Sequence, residues 1–135
     1  MILADAGYFI ALMNPQDGLH ARATAWSAAV RDRLLVTEYA LWECANYFST
    51  PGSRARAAGL ASRVRGTPTC EFVPANLALL DAGLALHKDR PDKAWSLTDC
   101  ISFVLMEQRG IKQALAYDRH FEQAGFEALL RRDPG

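Results

Sequence analysis

The sequence predicts an α/β protein, a three-layer α/β/α sandwich around a central parallel sheet of four to five strands. Short apolar runs such as Ile2-Leu3-Ala4 and Leu34-Leu35-Val36 alternate with longer stretches of helical periodicity, the pattern of parallel βαβ units. The runs are continuous rather than alternating, which suits strands buried on both faces. No internal repeat or low-complexity linker interrupts the 135 residues. We therefore expect a single domain over residues 1–135, burying roughly two-thirds of the surface its unfolded chain exposes.

Ile2-Leu3-Ala4 reads as the first strand, broken at Asp5-Ala6-Gly7, and a short helix follows from Tyr8 to Met13, stopped by Asn14-Pro15. From about Asp17 to Val30 the pattern is helical, with Leu19, Ala23, Trp26 and Val30 on one face. Leu34-Leu35-Val36 is the second strand. Thr37 caps a helix from Glu38 to about Phe48, which Pro51-Gly52 ends. Ser53 to Val64 is helical by the spacing of Ala57, Leu60, Ala61 and Val64. Glu71-Phe72-Val73 makes a third strand, and Ala75 to His87 a further helix. A polar loop, Lys88 to Lys93, leads to an apolar helix from Ser96 to Gln108 with Gly110 as its C-cap. Ala114 to Tyr117 is the fourth strand; a short helix from Arg119 and a last strand near Ala128 to Leu130 complete the chain.

Composition excludes more than it identifies. Fifteen basic and fifteen acidic residues leave no net charge, so nucleic-acid binding by overall charge is not expected, and any RNA contact needs a local patch or a bound metal. Three cysteines, Cys44, Cys70 and Cys100, form no disulfide framework. No secretory pattern follows Met1, and no run reaches the ~20 apolar residues needed to span a bilayer. The expected setting is a reducing cytoplasm, without membrane association.

Four carboxylates carry the chemistry. In open parallel sheets, ligands bind beyond the carboxyl ends of the strands, near the point where strand order switches. Asp5 ends the first strand, Asp118 ends the fourth, and Asp99 opens the helix that precedes the fourth. Each also fits a local role: Asp5 and Asp118 as helix caps, and Asp99 as the third residue of a Ser96-Leu97-Thr98-Asp99 capping box. Glu43 is different, because it lies among Leu41, Trp42, Cys44, Ala45, Tyr47 and Phe48, and a carboxylate drawn into apolar surroundings is costly unless paired or metal-bound. Carboxylates brought together repel by about 1 kcal/mol per pair at 4 Å in water, and about 4 kcal/mol at an effective dielectric of 20. A hard divalent cation such as magnesium relieves that repulsion, and a pair of such ions can drive phosphodiester hydrolysis without a histidine base.

At these residues the sequence resembles PIN domains, specifically VapC-type toxins of bacterial toxin–antitoxin pairs. The matching pieces are Ala4-Asp5-Ala6, Thr37-Glu38 with Glu43 downstream, the run from Trp95 to Phe103, and Tyr117-Asp118-Arg119-His120-Phe121. The resemblance implies Mg2+- or Mn2+-dependent endoribonuclease activity, a homodimer and a cognate antitoxin. It carries acidic metal-site roles to Asp5, Glu43, Asp99 and Asp118, and a supporting polar role to Ser96 or Thr98.

Arg54, Arg56, Arg63 and Arg65 form a basic stretch without an intervening acid; it reads as an RNA-phosphate contact or, more simply, a solvated helix face. Asp92 and Lys93 read as loop charges, and His120 as part of a structural turn rather than a base. His20 and His87 lack partners at zinc-like spacing. Trp26, Trp42, Tyr47 and Phe103 read as core or dimer interface. The alternatives to a nuclease are a non-catalytic RNA- or protein-binding module on the same fold, and another acidic-pocket α/β protein such as a phosphotransfer domain or an aspartyl phosphatase, against which stands the missing second aspartate in Asp5-Ala6-Gly7.

Overall fold

A computed structural model describes residues 1–135. Five parallel strands form one sheet: β1 (Ile2–Ala4), β2 (Leu34–Thr37), β3 (Cys70–Val73), β4 (Gln113–Leu115) and β5 (Glu127–Ala128), in the order β3-β2-β1-β4-β5. Between them lie α1 (Ala6–Met13), α2 (His20–Ala29), α3 (Glu38–Tyr47), α4 (Arg54–Gly66), α5 (Leu77–Asp89), α6 (Leu97–Arg109) and α7 (Arg119–Gln123). Strand order runs outward from β1 to β3, then returns to the other side of β1 for β4 and β5. The switch point is therefore the gap beyond the ends of β1 and β4. There the Asp5 backbone N–H donates to the Leu115 carbonyl at 3.1 Å.

The strands sort their side chains between two cores by simple alternation. Ile2, Ala4, Val36 and Leu115 enter one, with residues of α1 to α4. Leu3, Leu35, Ala114 and Ala116 enter the other, with residues of α5 to α7. That makes three layers, and explains why Ile2-Leu3-Ala4 and Leu34-Leu35-Val36 are apolar at every position. Helix ends follow the residues expected of them. The Thr37 side chain accepts from the Ala40 N–H, Ser96 and Asp99 form the full capping box, and Gly110 closes α6 with φ of 65°, a conformation that disfavours any side chain.

The second core sets a tight tolerance where α5 meets α6. A methyl group on Gly83 would collide with Ile101 Cγ1 and lie 3.4 Å from the Ile101 Cα. Alanine is the better helix former by about 1 kcal/mol, but overpacking costs about 1–3 kcal/mol. Gly83→Ala is therefore expected to lower stability by about 1 kcal/mol, read from the urea midpoint at unchanged slope.

Several expected boundaries shift by a residue or more, three of them with a structural reason or consequence. The helix anticipated from Asp17 begins at His20, because the Asp17 side chain accepts from the Leu19 N–H at 2.9 Å and holds a turn there. The fourth strand ends at Leu115, and Ala116 and Tyr117 leave the sheet on the way to Asp118. The last strand is Glu127–Ala128, and Leu129–Arg131 is a 3-10 turn rather than strand. Trp26 and Phe103 are buried as expected, whereas Trp42 and Tyr47 lie on the surface, 54% and 53% exposed. No helix is long and apolar enough to cross a membrane.

Candidate metal centre at the carboxyl edge of the sheet

Asp5 stands at the N-cap position of α1, directly after the central strand, yet its side chain makes no capping bond. The expected local role is thus not exercised. Asp118 follows β4 and does cap: its Oδ1 accepts the His120 backbone N–H at 3.0 Å. Asp99 lies in the first turn of α6, whose start must sit at the carboxyl edge because α6 feeds back into β4. Glu43 lies on α3, the helix that leaves that edge after β2.

These four carboxylates act on one another. Burial first, and then the charges of Asp99, Glu43 and Asp118, together push the Asp5 carboxyl up to about 7, against a backbone hydrogen bond that lowers it. Glu43 enters no ion pair. The other glutamate of α3 is occupied: Glu38 accepts from the Trp42 indole at 3.0 Å and from the Ala75 N–H at 3.1 Å. Cys44, next to Glu43, is buried with its thiol toward the Ala6 carbonyl. Burial, then Asp5 and Glu43, push that thiol up to about 12, so it offers no thiolate at neutral pH.

His120 joins the cluster. Its Nδ1 lies 2.9 Å from Asp99 Oδ2 and 3.2 Å from Asp118 Oδ2. Ligand atoms of Asp99, Asp118 and His120 all fall within 4.8 Å of one another. Sequence reasoning took His120 for a turn residue. Its partner lies 21 positions away, beyond any local pattern; the one available signal was its place in the block shared with Asp118.

Ser96 serves the site through the backbone. Its N–H donates to Asp99 Oδ2 at 3.1 Å while its hydroxyl accepts the Asp99 N–H at 3.0 Å. Thr98 is half-buried beside them. Arg54, Arg56, Arg63 and Arg65 are all exposed along α4, with Arg56 and Arg63 flanking the buried Leu60 and Val64. Arg56 and Arg65 lie 5.8 Å above the rings of Phe48 and Phe72. Asp92 pairs with Arg90 at 3.0 Å and stays in its loop.

The Asp5 shift fixes the sign of a pH effect. A carboxyl whose folded value lies above its unfolded value binds its proton more tightly when folded, so stability falls as pH rises between the two. Metal-free protein should therefore melt progressively lower from pH 4 to pH 7, the window between the ordinary and the raised value. Asp5→Asn should flatten that slope, and melts at stepped pH in chelator would show it.

The donor set suits a hard divalent cation. It is rich in carboxylate oxygens and contains no thiolate, and magnesium and manganese favour such ligands. The PIN domain family model matches residues 2–127. The chain is 29% identical over 127 residues to the "23S rRNA-specific endonuclease VapC20" of Mycobacterium tuberculosis strains CDC 1551 and H37Rv, covering 93% of this chain and 95% of that protein. It superposes on the crystal structure of Mycobacterium tuberculosis VapC20, described as a sarcin-ricin loop cleaving toxin, with TM-score 0.85 and 22% identity, covering 93% of this chain and 96% of the other. A sheet of this order with acids gathered at its switch point, and a family match running nearly end to end, lead to one conclusion: the chain belongs to the PIN domain family.

Proposed function

We propose that this chain is a single-domain endoribonuclease of the VapC toxin type, in which Asp5, Glu43, Asp99 and Asp118 hold Mg2+ or Mn2+. The observation that carries the reading is the electrostatic state of Asp5. Burial, with three other carboxylates pressing on it, opposes its ionisation near neutral pH, a cost that a fold sustains where a cation normally relieves it. Such a cation supplies charge for the phosphodiester and activates water for attack.

The residues of the chain do the holding and orienting. Asp5 offers its carboxylate from the end of the central strand, uncommitted to capping. Asp99 is fixed by the Ser96 N–H and His120, and Asp118 by its bond to the backbone of the next helix. Glu43 adds negative charge from α3. The exposed arginines of α4 are the natural contacts for RNA phosphates, which would give binding a salt dependence. Likeness to a 23S rRNA-specific endonuclease makes ribosomal RNA the first substrate class to examine. A cognate antitoxin, a homodimer and a cytoplasmic setting belong to the same reading.

The test is cleavage of ribosomal RNA by the purified protein in Mn2+ or Mg2+, beside the same reaction in excess chelator. Defined fragments that appear only with the cation are expected. RNA bound but left intact under both conditions would instead favour a binding module that has kept the fold.

A further inference from the structure

We propose that His120 is a positioning residue for the cation site: its Nδ1–H bonds Asp99 of α6 while the ring lies against Asp118 of the β4–α7 turn, and this sets the spacing at which the two carboxylates share an ion. The inference rests on the reading of Asp99 and Asp118 as cation ligands.

The geometry assigns the direction of the bond. Nδ1 is 2.9 Å from Asp99 Oδ2 and 3.2 Å from Asp118 Oδ2. An ionised carboxylate only accepts hydrogen bonds, so the ring nitrogen between them is the one that carries the proton. Asp99 Oδ2 also receives the Ser96 N–H at 3.1 Å. Both donors thus fall on one oxygen, which fixes the plane of the carboxylate and leaves Oδ1 open.

Asp118 meets the same residue through both of its oxygens. Its Oδ1 accepts the backbone N–H of His120 at 3.0 Å, and its Oδ2 faces the ring. His120 is therefore the one side chain that contacts both acids. The bridge spans 21 residues of sequence. With the His120 and Asp99 side chains only 24% and 13% exposed, water competes weakly for it. Without the ring, each acid keeps only its backbone donor, on separate elements, and their mutual repulsion is free to move them apart.

The α7 backbone does not depend on the ring. The Asp118 cap uses the N–H of residue 120, whatever its side chain, and Phe121 anchors the helix in the core. The amide nitrogen of asparagine falls near the place of Nδ1, and that of glutamine near Nε2. The two substitutions separate bridging through Nδ1 from ligation or proton transfer through Nε2.

The test is calorimetric titration of the full chain with Mn2+ alone, for the parent and for His120→Ala, His120→Asn and His120→Gln. Metal-free melting and the kcat and KM of RNA cleavage are followed in parallel. Partners of metal ligands typically contribute about 10–100-fold to metal affinity. His120→Ala and His120→Gln are expected to bind Mn2+ that much more weakly, and His120→Asn to recover most of the affinity. Metal-free melting and the KM for RNA should change little, and added Mn2+ should restore part of the lost kcat. Parent-like Mn2+ binding by His120→Ala would overturn the proposal, as would recovery by glutamine but not asparagine. If His120→Ala fails to fold, the asparagine–glutamine contrast decides alone. A parent that binds no Mn2+ would instead remove the cation reading itself, and this inference with it.

Discussion

Asp99→Asn is expected to lose more than about a hundredfold in RNA cleavage while its metal-free fold stays as stable as the parent or gains slightly. Disturbing a group that merely supports a metal ligand already costs about 10–100-fold, so removing charge from the ligand itself should cost at least as much. The substitution is nearly isosteric. The Ser96 hydroxyl still accepts the residue-99 N–H, so half of the capping box remains. At the same time one of the charges that oppose Asp5 ionisation disappears, which favours the folded state. Activity and stability should move in opposite directions, as they do where a fold carries electrostatic strain for function. Cleavage assays paired with thermal melts in chelator measure both. Parent-level cleavage by Asp99→Asn, or a fall in metal-free stability for every neutralised carboxylate, would assign these residues to helix capping instead.

Phe121→Ala should be the most damaging substitution to the fold, at about 3–5 kcal/mol, the range for emptying a phenylalanine site in a core. Phe121 is fully buried and stands edge-on to Phe103, with ring centroids 5.0 Å apart and planes at 89°. Phe103 in turn packs edge-on to Trp95 at 5.0 Å and beside Phe126 at 5.8 Å. Aromatic pairs add about 0.5–1.5 kcal/mol beyond burial alone. Against a typical total of about 5–15 kcal/mol, the loss is large, and urea unfolding would read it directly. The damage also has a functional side, because the short helix that Phe121 anchors carries His120 and begins at Asp118. Cleavage by the fraction still folded should therefore fall as well.

The layers and the sheet follow from patterns that are local in sequence. Ile2-Leu3-Ala4 and Leu34-Leu35-Val36 are apolar throughout because alternate residues enter opposite cores. Ser96, Asp99 and Gly110 mark the ends of α6 by chemistry confined to single turns. Asp5, Asp99 and Asp118 are placed together by topology that strand order alone implies, and Glu43 is drawn to them by the helix that follows β2. Contacts made across the fold were not readable in the same way. His120 meets Asp99 only because α7 is docked against the start of α6, and beyond its place beside Asp118 nothing near residue 120 signals that. Asp5 fits a cap by position, but whether its side chain turns to the helix depends on neighbours 38 to 113 residues away, the offsets to Glu43 and Asp118. Trp42 and Tyr47 fit an apolar face by composition, yet remain on the surface, because the buried side of α3 is taken by Tyr39, Ala40 and Cys44.

Crystals of the protein grown with Mn2+, with data collected at wavelengths on either side of the manganese absorption edge, address the cation site without reference to activity. The account predicts an anomalous peak bounded by the carboxylates of Asp5, Asp99 and Asp118, with Glu43 close by. Fully ordered carboxylates with no peak among them, in a preparation that still cleaves RNA, would contradict it.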